Sequence, residues 1–294
     1  MRPEILGTVA NLCQVSHSAK NDEIGGSQLD LELTGKRALV TGGSRGIGKA
    51  IARALAKEGA NVSIAARGLD ALQATAAELA GATGSRVVSV VADTGDADAV
   101  RRMVAQSAEM LGGIDILVNN AAKPGGQATP PSLSEITEED FWEDMNVKVM
   151  GYLRCAREVA PLMVAQGWGR IINISGLAAR GSGSTIGSMR NVAVAAMTKN
   201  LGDELGPHGV NVTVVHPGAT RTEATPGVIE GRAALRGISF EQVERELTEG
   251  NSVRRLIDAS EVADIVAFLA SPRSGAINGD AIACGGGVGR AIYY

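Results

Sequence analysis

The run Thr41-Gly42-Gly43-Ser44-Arg45-Gly46-Ile47-Gly48 is the first stretch of this 294-residue chain whose spacing implies chemistry. It follows a short apolar run, 37–41, and opens an amphipathic segment, 46–60. Glycines so placed let the backbone turn tightly and let a pyrophosphate approach the start of a helix. Free N–H groups and the helix dipole favour an anion there. The loop therefore reads as a nucleotide-binding turn between a first strand and a first helix. Metal chemistry has no comparable support. Cys13, Cys155 and Cys284 are widely spaced, as are His17, His208 and His216, and neither set has ligand spacing. His216 closes an apolar run just before Pro217. An imidazole there could act as acid or base near neutral pH, although a structural role is commoner.

These residues need elements to hold them. Strand-like runs at 37–41, 61–66, 86–93, 114–120, 170–175, 210–217 and 280–284 alternate with helical stretches. The helices are expected at 46–60, 69–83, 96–112, 138–166, 188–205 and 260–271. Such alternation implies an α/β fold, a Rossmann-type doubly wound parallel sheet in a single domain. The strand runs are nearly continuous in Val, Ile and Ala, as suits a sheet covered on both faces. Residues 223–258 form an insertion with helical stretches, and 34–294 make up the domain. Residues 1–33 are polar and aperiodic, which reads as an arm, poorly structured or packed on a neighbouring subunit. Hydrophobic residues at 45% supply a full core and exclude a disordered chain. The net charge of −4 argues against a general nucleic-acid binder. No segment is expected to span a membrane and the first residues lack a signal-peptide core. The expected compartment is the cytoplasm, with reduced thiols.

Taken together, TGGSRGIG at 41–48, Asn119-Asn120-Ala121-Ala122 and Pro217-Gly218 resemble the short-chain dehydrogenase/reductase family. Asp93 at the end of the third strand and Asn278-Gly279-Asp280 before the last add to the likeness, which covers about 34–288. The resemblance implies cofactor contacts position by position. Gly42, Ser44 and Ile47 would line the pyrophosphate and ribose, and Asp93 and Thr94 the adenine. Asn120 and Ala121 would meet the nearby ribose, and Pro217, Gly218 and Thr222 the nicotinamide and its carboxamide. The second strand ends Ala65-Ala66-Arg67, with no acid before Asp70. A carboxylate there would take a ribose 2′-OH. Arg45 and Arg67 can instead grip a 2′-phosphate, so NADP is preferred to NAD.

The catalytic end departs from the family pattern. That pattern places an Asn on the helix at 138–166, a Ser after the fifth strand, and Tyr-x-x-x-Lys on the next helix. Here the Tyr position holds Gly187, the Lys position Asn191 and the Ser position Gly176, with Ser175 beside it. The family Asn lies seven residues after an aromatic and thirteen before a Pro. From Phe141 and from Pro161, both counts reach Lys148. Asn146 is two residues earlier, about 200° around an ideal helix. Asn and Lys thus look exchanged, and Lys148 and Asn191 are expected to meet beside the nicotinamide. Lys148 could polarise a carbonyl or donate a proton if burial lowers its pKa; the bland alternative is a solvated helix cation. For Asn191 the alternative is a helix-capping amide. Ser175, Ser182, Ser184 and Thr185 are the nearby hydroxyls. Lys123 could reach the cleft mouth, and Arg180 and Arg190 flank the site, which leaves an acidic substrate open.

The resemblance implies an NADP(H)-dependent oxidoreductase moving a hydride between nicotinamide and a carbonyl or alcohol substrate. It also implies a homo-oligomer, dimer or tetramer. Two alternatives stand beside it. One is an NADP(H)-binding sensor or partner subunit without turnover. The other is a non-redox lyase working through Lys148.

Overall fold

The short Val/Ile/Ala runs become strands, and each sends alternate residues to opposite faces of one sheet. The computed structural model describes residues 29–123 and 130–289. Most of the arm expected at 1–33 lies outside these. Its last part does not: Leu33 is fully buried in the core and Leu31 packs against it, so the compact body begins at Leu31.

In chain order the elements begin with β1 (Arg37–Thr41), α1 (Gly46–Lys57), β2 (Asn61–Ala66), α2 (Leu69–Thr83), β3 (Val87–Val91), α3 (Ala97–Leu111) and β4 (Ile116–Asn119). The chain continues through α4 (Glu138–Met145), α5 (Gly151–Gln166), β5 (Gly169–Ile174), α6 (Thr185–Leu205) and β6 (Val210–Pro217). It ends with β7 (Thr220–Arg221), α7 (Thr225–Arg236), α8 (Phe240–Glu249), β8 (Ile257–Asp258), α9 (Ala259–Ala270) and β9 (Ala281–Cys284). The main sheet has the order β3-β2-β1-β4-β5-β6-β9, with every pairing parallel.

Period-two alternation divides the core into two layers. Ala38, Val40, Val62, Ile64, Ile116, Val118 and Ile172 meet Ile51 and Leu55 of α1, Leu72 and Leu79 of α2, and Val262 and Val266 of α9. Leu39, Ala65, Leu117 and Ile171 meet Val100 and Met103 of α3 and Cys155, Val159 and Met163 of α5. Strand order reverses between β1 and β4. In an open parallel sheet, ligands bind beyond the strand ends at such a switch point.

Three features depart from the sequence reading. The helix expected over 138–166 is broken by a π-helical turn, Asn146–Met150, between α4 and α5. Helix α6 starts at Thr185 because the Ser184 side chain caps it, accepting from Gly187 N–H. The insertion holds α7 and α8, and its two ends pair as β7 and β8 in a separate two-stranded sheet.

Candidate active site

The glycine turn sits at the switch point. Gly42 and Gly46 have φ of +67° and +56°, which favours glycine. A Cβ on Gly48 would overlap Gly42 O and the Asn120 amide, so the start of α1 lies against β4's end. Asn120 Nδ2 donates to Thr41 O and Gly42 O, both at 3.1 Å, which holds the turn in place. Thr41 Oγ1 accepts from the N–H groups of Asn120 and Ala121 at 3.0 and 3.2 Å. A Cβ on Gly46 would meet only Thr222 Cγ2, at 3.7 Å, while the Gly46 N–H is held by Glu223 Oε1 at 2.7 Å. The first turn of α1 contains no acidic residue, which suits an anion.

The remaining cofactor candidates are placed as follows. Ser44 O accepts from Thr75 Oγ1 at 3.0 Å, and Ile47 follows in the first turn of α1. Arg45 and Arg67 are both exposed, Arg67 directly after β2. Asp93 is exposed and accepts from Gly95 N–H at 2.8 Å. Thr94 is turned inward, donating its hydroxyl to Val147 O at 3.4 Å. Pro217 ends β6, and Gly218 N–H donates to Cys284 O at 3.2 Å. Thr222 forms a closed turn with Thr225, whose Oγ1 accepts from Thr222 N–H at 2.8 Å.

The structure brings Lys148, Asn191 and Ser175 together. Lys148 projects from the π turn, is 3% exposed, and donates from Nζ to Asn191 Oδ1 at 2.9 Å and to Ser175 O at 3.0 Å. Ser175 Oγ donates to Asn191 Oδ1 at 3.1 Å. An oxygen receiving two donors fixes the amide. Asn191 Nδ2 then faces Gly176, where an added Cβ would lie 3.2 Å from it. Burial pulls the Lys148 ammonium down to about 7; nearby Arg190 adds to this and Asp144 opposes it. Asn146 points elsewhere, its amide donating to Gly95 O at 3.2 Å and its oxygen accepting from Arg154 at 2.8 Å.

Other candidates are engaged differently. His216 is 1% exposed, its Nδ1 accepts from Gly176 N–H at 3.4 Å, and burial holds it down to about 4. It is therefore neutral at physiological pH. Ser184 caps α6, and its Oγ lies 2.7 Å from where a Gly187 Cβ would stand. Ser182 and Thr185 are exposed. Lys123 pairs with Glu143 at 2.5 Å, Arg190 pairs with Asp144, and Arg180 donates to Ala281 O at 3.0 Å.

Two residues that the sequence reading passed over belong to this region. Tyr152 is fully buried one helical turn after Lys148 and donates to Ile174 O at 2.8 Å. Its i, i+4 relation to Lys148 was the available signal. Glu223 accepts from Gly46 N–H at 2.7 Å, a contact across the fold with no local signature. Among the described residues no group of side chains could hold a metal ion, and no helix is long and apolar enough to cross a membrane.

Comparison with known proteins agrees with this architecture. Residues 42–289 match a family model described as enoyl-(acyl carrier protein) reductase. The short-chain reductase protein NovJ of Streptomyces niveus is 38% identical over 251 residues, covering 85% of this chain and 92% of the relative. Sorbitol dehydrogenase of Cereibacter sphaeroides is 34% identical over 247 residues, covering 83% and 93%. Among solved structures, L-sorbose reductase of Gluconobacter frateurii, complexed with NADPH and L-sorbose, superposes with a TM-score of 0.84. That pair is 29% identical and covers 90% of this chain and all of the other. A variant of the actinorhodin polyketide ketoreductase with NADPH gives a TM-score of 0.81 at 32% identity, covering 87% and 98%. With one family model spanning most of the chain and relatives matched along nearly their whole length, the chain belongs to the short-chain dehydrogenase/reductase family of oxidoreductases.

Proposed function

We propose that this chain is an NADP(H)-dependent oxidoreductase that moves a hydride between the nicotinamide and a carbonyl or alcohol substrate. In it, Lys148 and Asn191 occupy, exchanged, the positions of the family's Asn and Lys, and Lys148 takes over the proton transfer. The observation that carries the reading is the buried contact of 2.9 Å from Lys148 Nζ to Asn191 Oδ1, beside the end of β5. NADPH is bound by relatives of the same fold. The glycine turn at the start of α1 and the exposed Arg45 and Arg67 suit its pyrophosphate and 2′-phosphate. Ser44, Ile47, Ala121, Pro217, Gly218 and Thr222 would line it, with Asp93 and the main chain at Thr94 near the adenine. Once bound, the cofactor supplies or accepts the hydride.

This chain's own residues do the rest. Asn191 Nδ2, fixed by the two donors on its oxygen, is a pre-oriented hydrogen-bond donor for a carbonyl oxygen or a ribose hydroxyl. Lys148 Nζ holds the proton of the site. Burial keeps its pKa near the working range, where an acid both carries its proton and releases it readily. Ser175 holds the amide from its other side. The apolar side chains of Met150, Leu153, Met189 and Val192, exposed on the π turn, α5 and α6, support assembly into a homo-oligomer.

The test is NADPH oxidation against a panel of carbonyls, in wild type and in Lys148→Met, after NADPH binding has been checked in both. The reading expects kcat/KM to fall about a hundredfold or more in the variant. Carbonyl reduction by the wild type should decline above pH about 7, as Lys148 loses its proton. Turnover that survives the substitution removes Lys148 from the chemistry.

A second reading is favoured by a specific observation. The Tyr152 phenol is fully buried on Ile174 O, and Ser184 fills the space beside Gly187. Under the register that sets Gly187 at the family's Tyr position, the site would then lack a phenol. A nucleotide-binding sensor or partner subunit would bind NADPH tightly and turn over no substrate. The lyase reading has less support, because the Lys148 amine is 3% exposed and engaged by two acceptors.

A further inference from the structure

Helix α1 has an anion at its start already, and it comes from the far end of the chain. Glu223 Oε1 accepts from Gly46 N–H at 2.7 Å. The N-cap residue, Arg45, makes no side-chain capping bond, and no acid lies in the first turn. The Glu223 carboxylate thus complements the positive end of this helix. Under the cofactor reading above, on which this inference rests, the same helix end receives the pyrophosphate. A single N–H cannot serve both, and two anions a few ångströms apart repel.

Glu223 is also tied to the insertion. Thr222 N–H donates to Thr225 Oγ1 at 2.8 Å and Thr225 N–H to Thr222 O at 3.1 Å, so Glu223 lies inside a closed turn that leads into α7. Helices α7 and α8 share an apolar cluster of their own, centred on Ile229, Ala233 and Val243. The insertion's two ends are joined by Thr220↔Ile257 and Arg221↔Asp258. After α8, Ser252 Oγ donates to Gly287 O at 3.0 Å and Val253 N–H to Gly286 O at 3.1 Å, so helices α7 and α8, with their own core, lie between two anchored ends, with Glu223 next to the first.

We propose that Glu223 is a latch: an internal stand-in for the cofactor phosphate that holds the α7–α8 unit against the glycine turn and that the dinucleotide displaces. Cofactor binding and release of the α7–α8 unit are then one coupled event. By linkage, whatever stabilises the latched state weakens nucleotide binding by the same amount.

Two variants test this in the full chain, each titrated with NADPH by fluorescence. Glu223→Gln removes the charge and Glu223→Ala the contact. Both should lower the NADPH dissociation constant, about fivefold at low ionic strength, with the gain shrinking as salt screens the repulsion. Without nucleotide, hydrogen exchange at the Gly46 amide and across 225–249 should be faster in Glu223→Ala than in wild type. NADPH should speed exchange across 225–249 in the wild type. Equal or weaker NADPH binding in both variants overturns the latch while leaving the cofactor reading intact. Should no form bind NADPH, the cofactor reading falls, and unchanged Gly46 exchange in Glu223→Ala would then remove the latch contact as well.

Discussion

Lys148 is a cation that the fold buries against Asn191 and Ser175. Lysine is rarely buried, yet counts from Phe141 and Pro161 both put this one where the family keeps a neutral amide. The structure places it at 3% exposure with two acceptors. A stability consequence follows. Between pH about 7 and the ordinary lysine value of 10.5, the unfolded chain carries a proton here that the folded chain has lost. Stability of the wild type therefore rises with pH across that window. Lys148→Met abolishes the rise, so denaturant titrations should show the wild type gaining on the order of 5 kcal/mol relative to the variant between those limits. Parallel pH dependences would mean that Lys148 titrates as a solvated lysine. His216 works in the same direction at lower pH. Its folded pKa of about 4 lies below the ordinary 6.5, so its contribution is present above 6.5 and is lost as pH falls toward 4. At the cofactor end, Arg67→Asp should shift preference from NADPH toward NADH, read as the ratio of the two kcat/KM values. An unchanged ratio excludes Arg67 as the phosphate clamp.

The elements that carry the site are the ones whose boundaries the sequence rendered least well. Periodicity across 138–166 is apolar enough for a helix, but it cannot report a single π turn. That turn, Asn146–Met150, adds a residue to one helical revolution just where Lys148 leaves the backbone. The start of α6 was expected at residue 188, and the capping hydroxyl of Ser184 moves it to Thr185. The same hydroxyl bears on Gly187, which the sequence register sets at the family's Tyr position. A Gly187 Cβ would stand 2.7 Å from Ser184 Oγ and 3.1 Å from its Cβ. Gly187→Tyr should therefore overpack the start of α6, at a cost of about 1–3 kcal/mol in thermal or chemical denaturation. It should confer no extra carbonyl turnover by itself. A stable, more active Gly187→Tyr variant would show that the tyrosine space is still open.

For the whole molecule, seven parallel strands in the order β3-β2-β1-β4-β5-β6-β9 put the glycine turn, Asn120, Lys148 and Gly218 around one end of the sheet. Side chains such as Val192 on α6, 50% exposed, sit outside that core. If the homo-oligomer forms through this surface, Val192→Arg should lower the sedimentation mass without altering the helical circular dichroism. A mass that does not change would direct assembly to another surface.

The sequence by itself determined the sheet and the nucleotide turn, because both are written locally. Period-two apolar runs make strands, and glycines at Gly42, Gly46 and Gly48 allow positive φ and close approach wherever the fold puts them. It also raised the expectation that Asn and Lys have exchanged positions, since a register can be counted from Phe141 and Pro161. What only tertiary structure decided are the contacts between distant segments. These are the depth at which the Lys148 ammonium is buried, the fixing of the Asn191 amide by two donors, the phenol of Tyr152 on Ile174 O, and Glu223 on the start of α1. Burial and hydrogen-bond geometry depend on chain segments that meet only after folding, and no local pattern encodes them.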